Sequence, residues 1–162
     1  MKKNGIGSHH SAKSRTDEWL SPPWIIEALG KFDLDPCSYD PMPWNIAKNA
    51  YCEMGLELTW KGRVWLNPPY GKETGLWLKK LADHGNGIAL TFARTETAMF
   101  FESVWPRASA ILFIKGRLHF HYPDGTMAKA NSGAPSCLIA YGSENAVCLE
   151  ECDIAGKFID LR

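Results

Sequence analysis

The chain has 162 residues, with 18 Lys plus Arg against 18 Asp plus Glu, and 45% of it is hydrophobic. That length suits one domain with a single sizeable core, and the composition is that of an ordinary globule. A formal net charge of zero excludes bulk, histone-like binding of nucleic acid, although it leaves room for a local basic face. No apolar run approaches the ~20 residues of a membrane span, and Met1 to Arg15 lacks the apolar stretch of a secretory signal. The five cysteines, at 37, 52, 137, 148 and 152, are odd in number and lack Cys-x-x-Cys spacing, which predicts free thiols in a reducing cytoplasm.

Residues 1–15 are polar and aperiodic and are expected to form a flexible tail, with residues 16–162 as the folded domain. Ser21 to Gly30 carries the punctuation of a short helix: Ser21 as cap, Pro22 in the first turn and Gly30 as stop. Lys31 to Asp35 reads as the first strand, where Asp33 and Asp35 alternating with Phe32 and Leu34 fit a solvated strand face. Asp40 to Lys48, broken by Pro41, Pro43 and Trp44, is expected to be a loop, and Cys52 to Lys61 leads to the next strand with Trp60 in the core. Val64 to Leu66 is that strand. Leu76, Trp77, Leu81 and Ala82, with Gly85 after them, predict an amphipathic helix from Glu73 to His84.

Gly87 to Ala93 is an apolar strand, and Arg94 to Thr97 opens a helix that ends before Pro106. Arg94 is placed to hold a phosphate or to pair with Glu96. Ala110 to Ile114 is a further strand, and Arg117 to Tyr122 alternates like a half-buried one. Tyr122 to Pro135 is too long for a tight turn and has no core pattern, which points to a functional loop. Ser136 to Tyr141 and Ala146 to Leu149 are expected to close the sheet, with Phe158 to Leu161 at an edge. His119, His121, Cys148 and Cys152 lack the usual zinc spacing, so no metal site is expected. The whole predicts a compact α/β domain with a mixed, mostly parallel sheet.

The most informative stretch is Val64-Trp65-Leu66-Asn67-Pro68-Pro69-Tyr70-Gly71. Two prolines stop the strand, because neither offers an N–H to a sheet. Asn67 and Tyr70 are thereby held on a stiff turn at the carboxyl end of a strand, where open α/β sheets bind ligands. The Asn67 side-chain oxygen and the Pro68 carbonyl can each accept an N–H, Pro69 keeps the turn free of donors, and Tyr70 offers a flat face. Such a pocket suits methyl transfer to an exocyclic amine, whose lone pair must be drawn out of the aromatic ring.

This motif resembles that of S-adenosylmethionine-dependent amino-methyltransferases, and the wider pattern is similar to the phage-type DNA N6-adenine methyltransferases (Dam-like). The resemblance is carried by Asp17 to Pro22, Phe32 to Ser38, Gly55-Leu56 with Trp60, Asn67 to Gly71, Ala93 to Thr97 and Gly116 to Phe120. It implies a Rossmann-like methyltransferase fold, with Asn67, Pro68, Pro69 and Tyr70 catalytic. It also implies a cofactor site from Trp19, Ser21, Pro22, Asp35, Pro36 and Cys37, with Asn67 adjoining, the Asp40 to Lys48 loop placed to close over it, and Glu57 or Leu58 near the adenine. The Asp35 carboxylate would face the cofactor ammonium. The family's glycine-rich loop is missing, since Asp35-Pro36-Cys37-Ser38-Tyr39 has no glycine.

The expected reaction is direct methyl transfer to adenine N6 in DNA, on a base flipped out of the duplex. Arg94, Arg117, His119 and Lys129 are the expected DNA contacts, in a monomer or homodimer of a bacterial or phage-infected cell, with restriction–modification one use of the mark. The alternatives are an RNA adenine or protein glutamine methyltransferase, or an inactive methyltransferase-fold module that binds nucleic acid.

Overall fold

The computed structural model of the protein describes residues 19–162. The expected tail at 1–15, and Asp17-Glu18 of the resemblance, lie outside the described residues. In chain order the elements are α1 (Pro23–Leu29), β1 (Phe32–Asp35), β2 (Ala47–Ala50), β3 (Val64–Leu66), α2 (Thr74–His84) and β4 (Gly87–Phe92). A π-helical turn (Phe100–Val104), β5 (Ala110–Ile114), β6 (Ser136–Tyr141), α3 (Ser143–Glu151) and β7 (Gly156–Asp160) complete the domain.

The seven strands form one mixed sheet in the order β2-β1-β3-β4-β6-β5-β7. The first four pair in parallel, and the β4–β6, β6–β5 and β5–β7 pairs are antiparallel. The expectation of a mostly parallel sheet is therefore corrected, since half of the pairings are antiparallel. The cause is β6, which enters between β4 and β5 instead of at an edge. β1 to β5 still share one direction, so the carboxyl ends of β1, β3 and β4 open on the same side of the sheet.

Strand alternation sends side chains into two cores. Trp65, Ile88, Leu90, Leu112 and Leu138 meet α1 and α3 on one face. Val64, Leu66, Ala89, Ile111 and Ile139 meet α2 and the π-helical turn on the other. α2 ends as expected at Gly85, whose left-handed backbone (φ 76°) lets its N–H reach the Leu81 carbonyl. Leu76, however, is 57% exposed, and Leu78 takes its place in the core.

Three further expectations are corrected. Ala146 to Leu149 lies within α3, because Ala146 and Leu149 are three apart and share the buried face while Glu144, Glu150 and Glu151 face water. The Asp40 to Lys48 loop runs into an unforeseen edge strand, β2, held by its ladder with β1. Helix α1 starts at Pro23 with no side-chain cap, so Ser21 does not cap it. Arg117 to Tyr122 keeps its alternation of burial, but pairs only at His121. The helix after Arg94 widens into the π-helical turn, in which the Trp105 N–H reaches the Phe100 carbonyl at 2.8 Å.

Arg63, just before β3, joins the layers at the amino edge of the sheet. Its guanidinium donates to the carbonyls of Leu29 (2.9 Å) and Lys31 (3.0 Å) and to Asn145 Oδ1 (2.6 Å), and lies 4.3 Å above the Phe32 ring. Removing it strands several acceptors at once. Arg63→Ala is expected to lower the unfolding free energy by about 3 kcal/mol, measured as a lower urea midpoint at unchanged slope. A loss below about 0.5 kcal/mol would mean the junction holds without it.

Candidate active site

The site forms where β1 and β3 end. Leu66 closes β3, and Asn67 to Gly71 turns away across the carboxyl edge. Thr74, in the first turn of α2, secures this turn from beneath: its hydroxyl donates to the Pro69 carbonyl (2.6 Å) and accepts the Gly71 N–H (3.0 Å). The turn is therefore held by hydrogen bonds as well as by its prolines.

Two bonds tie the segment before α1 to β3. Trp65 Nε1 donates to the buried Ser21 hydroxyl (3.1 Å), and Asn67 Nδ2 donates to the Trp19 carbonyl (2.8 Å). The second bond fixes which way the Asn67 amide faces. With the nitrogen engaged, Oδ1 is left as the acceptor, contacted among the described residues only by the Tyr70 hydroxyl at 3.4 Å. No described residue donates to the Pro68 carbonyl.

Tyr70 stacks on Phe92 at the end of β4 (4.3 Å between centroids, 30° between planes) and meets the edge of Phe120 at 6.0 Å. One face of its ring is thus covered by Phe92, and the residue is only partly exposed. Burial pushes its phenol above the ordinary range, so the hydroxyl stays neutral.

Asp35, the last residue of β1, is 3% exposed and has no cationic partner among the described residues. Burial, partly offset by the Cys37 N–H on Oδ1 (3.1 Å), raises its pKa to about 7. Asp33, two residues earlier, behaves oppositely. It accepts the Arg63 backbone N–H and pairs with Lys48 on the surface, and these bonds lower its pKa. The two acids do not share one solvated face. Cys37 is half-buried, and that burial, with the nearby Asp35 charge, pushes its thiol up to about 12, so it forms a neutral wall.

These groups border one cleft of about 210 Å³, lined by Trp19, Leu20, Ser21, Asp35, Cys37 and the Asn67–Tyr70 turn, with Met42 and Ile46 opposite. Past Ser38, Tyr39 and Cys52 it continues into a second hollow bounded by Asp40 and Glu53. Pro22 and Pro36 are buried beside the cleft without lining it. Glu57 and Leu58 are exposed and border neither part, whereas Glu53 borders the second hollow. The close approach that the loop's missing glycines would allow is found elsewhere. Gly55 packs so tightly on the Pro36 carbonyl and the Trp77 ring that a Cβ there would collide with both.

The four residues expected at DNA lie outside the cleft. Arg94 is exposed at the end of β4, 5.9 Å above the Phe92 ring, and has no ion pair with Glu96. Arg117, His119 and Lys129 are exposed on the long β5–β6 connection. Sequence reasoning missed Thr74 and Phe92, while Met42 and Ile46 of the Asp40 to Lys48 loop, and Cys52 at the start of the next segment, line the cleft without having been singled out. Among the described residues no three His, Cys, Asp or Glu side chains group as metal ligands, and no helix is long and apolar enough to cross a membrane.

Fold and cleft together define an α/β protein with a cleft at the carboxyl ends of parallel strands, the place where open α/β sheets bind ligands. The chain belongs to the DNA N-6-adenine-methyltransferase (Dam) family, whose model matches residues 8–145. No curated protein and no solved structure matches it.

Asp35 gives the site a pH signature. It ionises near pH 7 when folded, against an ordinary value of 3.8, so the folded chain holds the extra proton between these limits. Stability is then full below the lower value and falls as pH rises toward the upper one. Asp35→Asn is expected to leave the melting temperature unchanged at pH 4 and to raise it by several degrees at pH 8. Equal shifts at both pH values would contradict the assignment.

Proposed function

We propose that this protein transfers a methyl group from S-adenosylmethionine to the N6 amino group of adenine in DNA. The observation that carries this reading is the adjacency, in one cleft, of the Asn67–Tyr70 acceptor turn and the unpaired, buried Asp35. We also read the fold as Rossmann-like, on the grounds that β1 to β5 share a direction and the cleft lies at their carboxyl ends.

The residues present fit the cofactor. A buried carboxylate without a cation suits an ammonium group, since ion pairing offsets the desolvation that otherwise keeps it protonated. Trp19, Cys37, Met42 and Ile46 supply apolar walls, and Asp40 and Glu53 supply acceptors for ribose hydroxyls. When bound, the cofactor supplies an electrophilic methyl group on a sulfonium.

The chain's own part is to bind and orient the amine. Asn67 Oδ1, held outward by the Trp19 carbonyl, accepts one N–H of the adenine amino group. The Pro68 carbonyl accepts the other. Together they turn the nitrogen lone pair out of the ring and toward the methyl group. The Tyr70 face away from Phe92 stacks on the base. A neutral Tyr70 and a Cys37 protonated up to about 12 leave no strong base at the turn; the proton released after transfer goes to water.

Adenine inside a duplex cannot reach this cleft, so the base leaves the stack. Arg94, Arg117, His119 and Lys129 provide the phosphate contacts, consistent with a local basic rim on a chain of zero net charge. With so little protein outside the core, a short recognition site is expected.

The test is transfer of radiolabel from S-adenosylmethionine to unmethylated DNA, beside RNA and protein controls. The expected product is N6-methyladenine in DNA. Asn67→Ala should lower kcat on the order of 100- to 1,000-fold, as loss of one preorganised polar group does elsewhere. Tyr70→Phe should stay within about threefold and Tyr70→Ala should lose about tenfold or more, since the ring matters more than the hydroxyl. Label in RNA or protein alone would overturn the substrate assignment, and label in none the activity itself.

A further inference from the structure

The β5–β6 connection contains a small, stiff hairpin. The Ala128 N–H bonds to the Phe120 carbonyl and the Tyr122 N–H to the Thr126 carbonyl, both at 2.8 Å, which sets His121 opposite Met127. Its tip is a tight turn. Pro123 fixes one dihedral, Gly125 takes a positive φ of 85°, and the Asp124 carboxylate accepts both the N–H (2.8 Å) and the hydroxyl (2.6 Å) of Thr126.

The inner side of the hairpin rests on the active site. Phe120 meets Tyr70, and Tyr122 lies 5.3 Å from Trp19. On the other flank, Leu20 exchanges both backbone bonds with His121 (2.9 and 3.2 Å). Leu20, His121 and Met127 are therefore successive cross-strand neighbours, and such neighbours project on the same face. Leu20 lines the cleft. Met127 stands two strand spacings away, about 10 Å.

Met127 is 62% exposed. Its neighbours in the chain show that this face looks outward: Ala128 is buried and Lys129 exposed, as Leu118 and Phe120 are buried while Arg117 and His119 are exposed. A large apolar side chain is thus mounted on a rigid element, among cationic groups, on the face that runs into the cleft. Among the described residues it joins neither core.

We propose that Met127 is the wedge that enters the DNA stack when the target adenine leaves it. This rests on the reading of the protein as a DNA adenine methyltransferase. Apolar side chains inserted at base steps fill the space vacated by displaced bases, and methionine is soft enough to adapt to either flanking pair. Arg117 and Lys129, both on the side of Met127 away from the hairpin tip, would hold the phosphates of one flank, and the stiffness of the hairpin would keep the wedge in place as the duplex opens.

The experiment compares two DNA duplexes carrying the mapped methylation site. In one the target adenine is paired; in the other it faces an abasic position, where no wedge is needed to displace it. Met127→Ala is expected to lower kcat/KM on the paired duplex by about tenfold or more and to change the abasic duplex by less than about twofold. Met127→Leu should restore the paired duplex, and 2-aminopurine at the target should brighten with the wild type and less with Met127→Ala. Equal loss on both duplexes, or no loss on either, overturns the wedge. A wild type that methylates neither duplex overturns the underlying reading and the wedge with it, and is told apart by the absence of any transfer.

Discussion

The hydrogen bond from the Asn67 amide to the Trp19 carbonyl organises the site. An amide side chain can present either its oxygen or its nitrogen, and only the oxygen can draw on an amino group. The Trp19 carbonyl settles the choice because it accepts and cannot donate. That carbonyl is itself held, since Ser21 is bonded to Trp65 and Leu20 to His121. The orientation of one functional group thus depends on three segments remote in sequence.

The cleft combines two kinds of polar environment. At the Asn67 turn the acceptors are neutral and cannot change charge at physiological pH. At Asp35 the acceptor is ionisable and poorly solvated, with a pKa near that pH. A buried carboxylate of this sort lowers stability in the empty protein and gains most from a cationic ligand. Gly55 preserves that arrangement from the far side, because its lack of a side chain lets the Pro36 backbone stay in place.

Much of this could be read along the chain, and the reasons are local. Continuous apolar runs bounded by Gly, Pro or charge marked β4, β5 and β6, and paired prolines marked the turn after β3. Ala146 to Leu149 could not be read, because a four-residue apolar run fits a strand as well as a helix face. β2 carries Ala-Lys-Asn-Ala, which has no strand pattern at all and is extended only because β1 offers it a ladder. The partner of Ser21 was hidden for another reason. It depends on what lies opposite in space, and the Trp65 that engages Ser21 is 44 residues away. The insertion of β6 between β4 and β5 left no trace in periodicity either.

That insertion bears on how the chain is made. β4 and β5 are finished by residue 114, yet the strand that joins them begins only at Ser136. On a ribosome, a nascent chain waiting between those points exposes the open apolar edge of β4 with no partner to cover it, the condition under which sheets recruit foreign strands. The same late strand flanks Phe92, on which Tyr70 stacks. Synthesis therefore delivers the acceptor turn well before it delivers the support for it, and the exposed interval is as long as the hairpin-bearing connection that precedes β6.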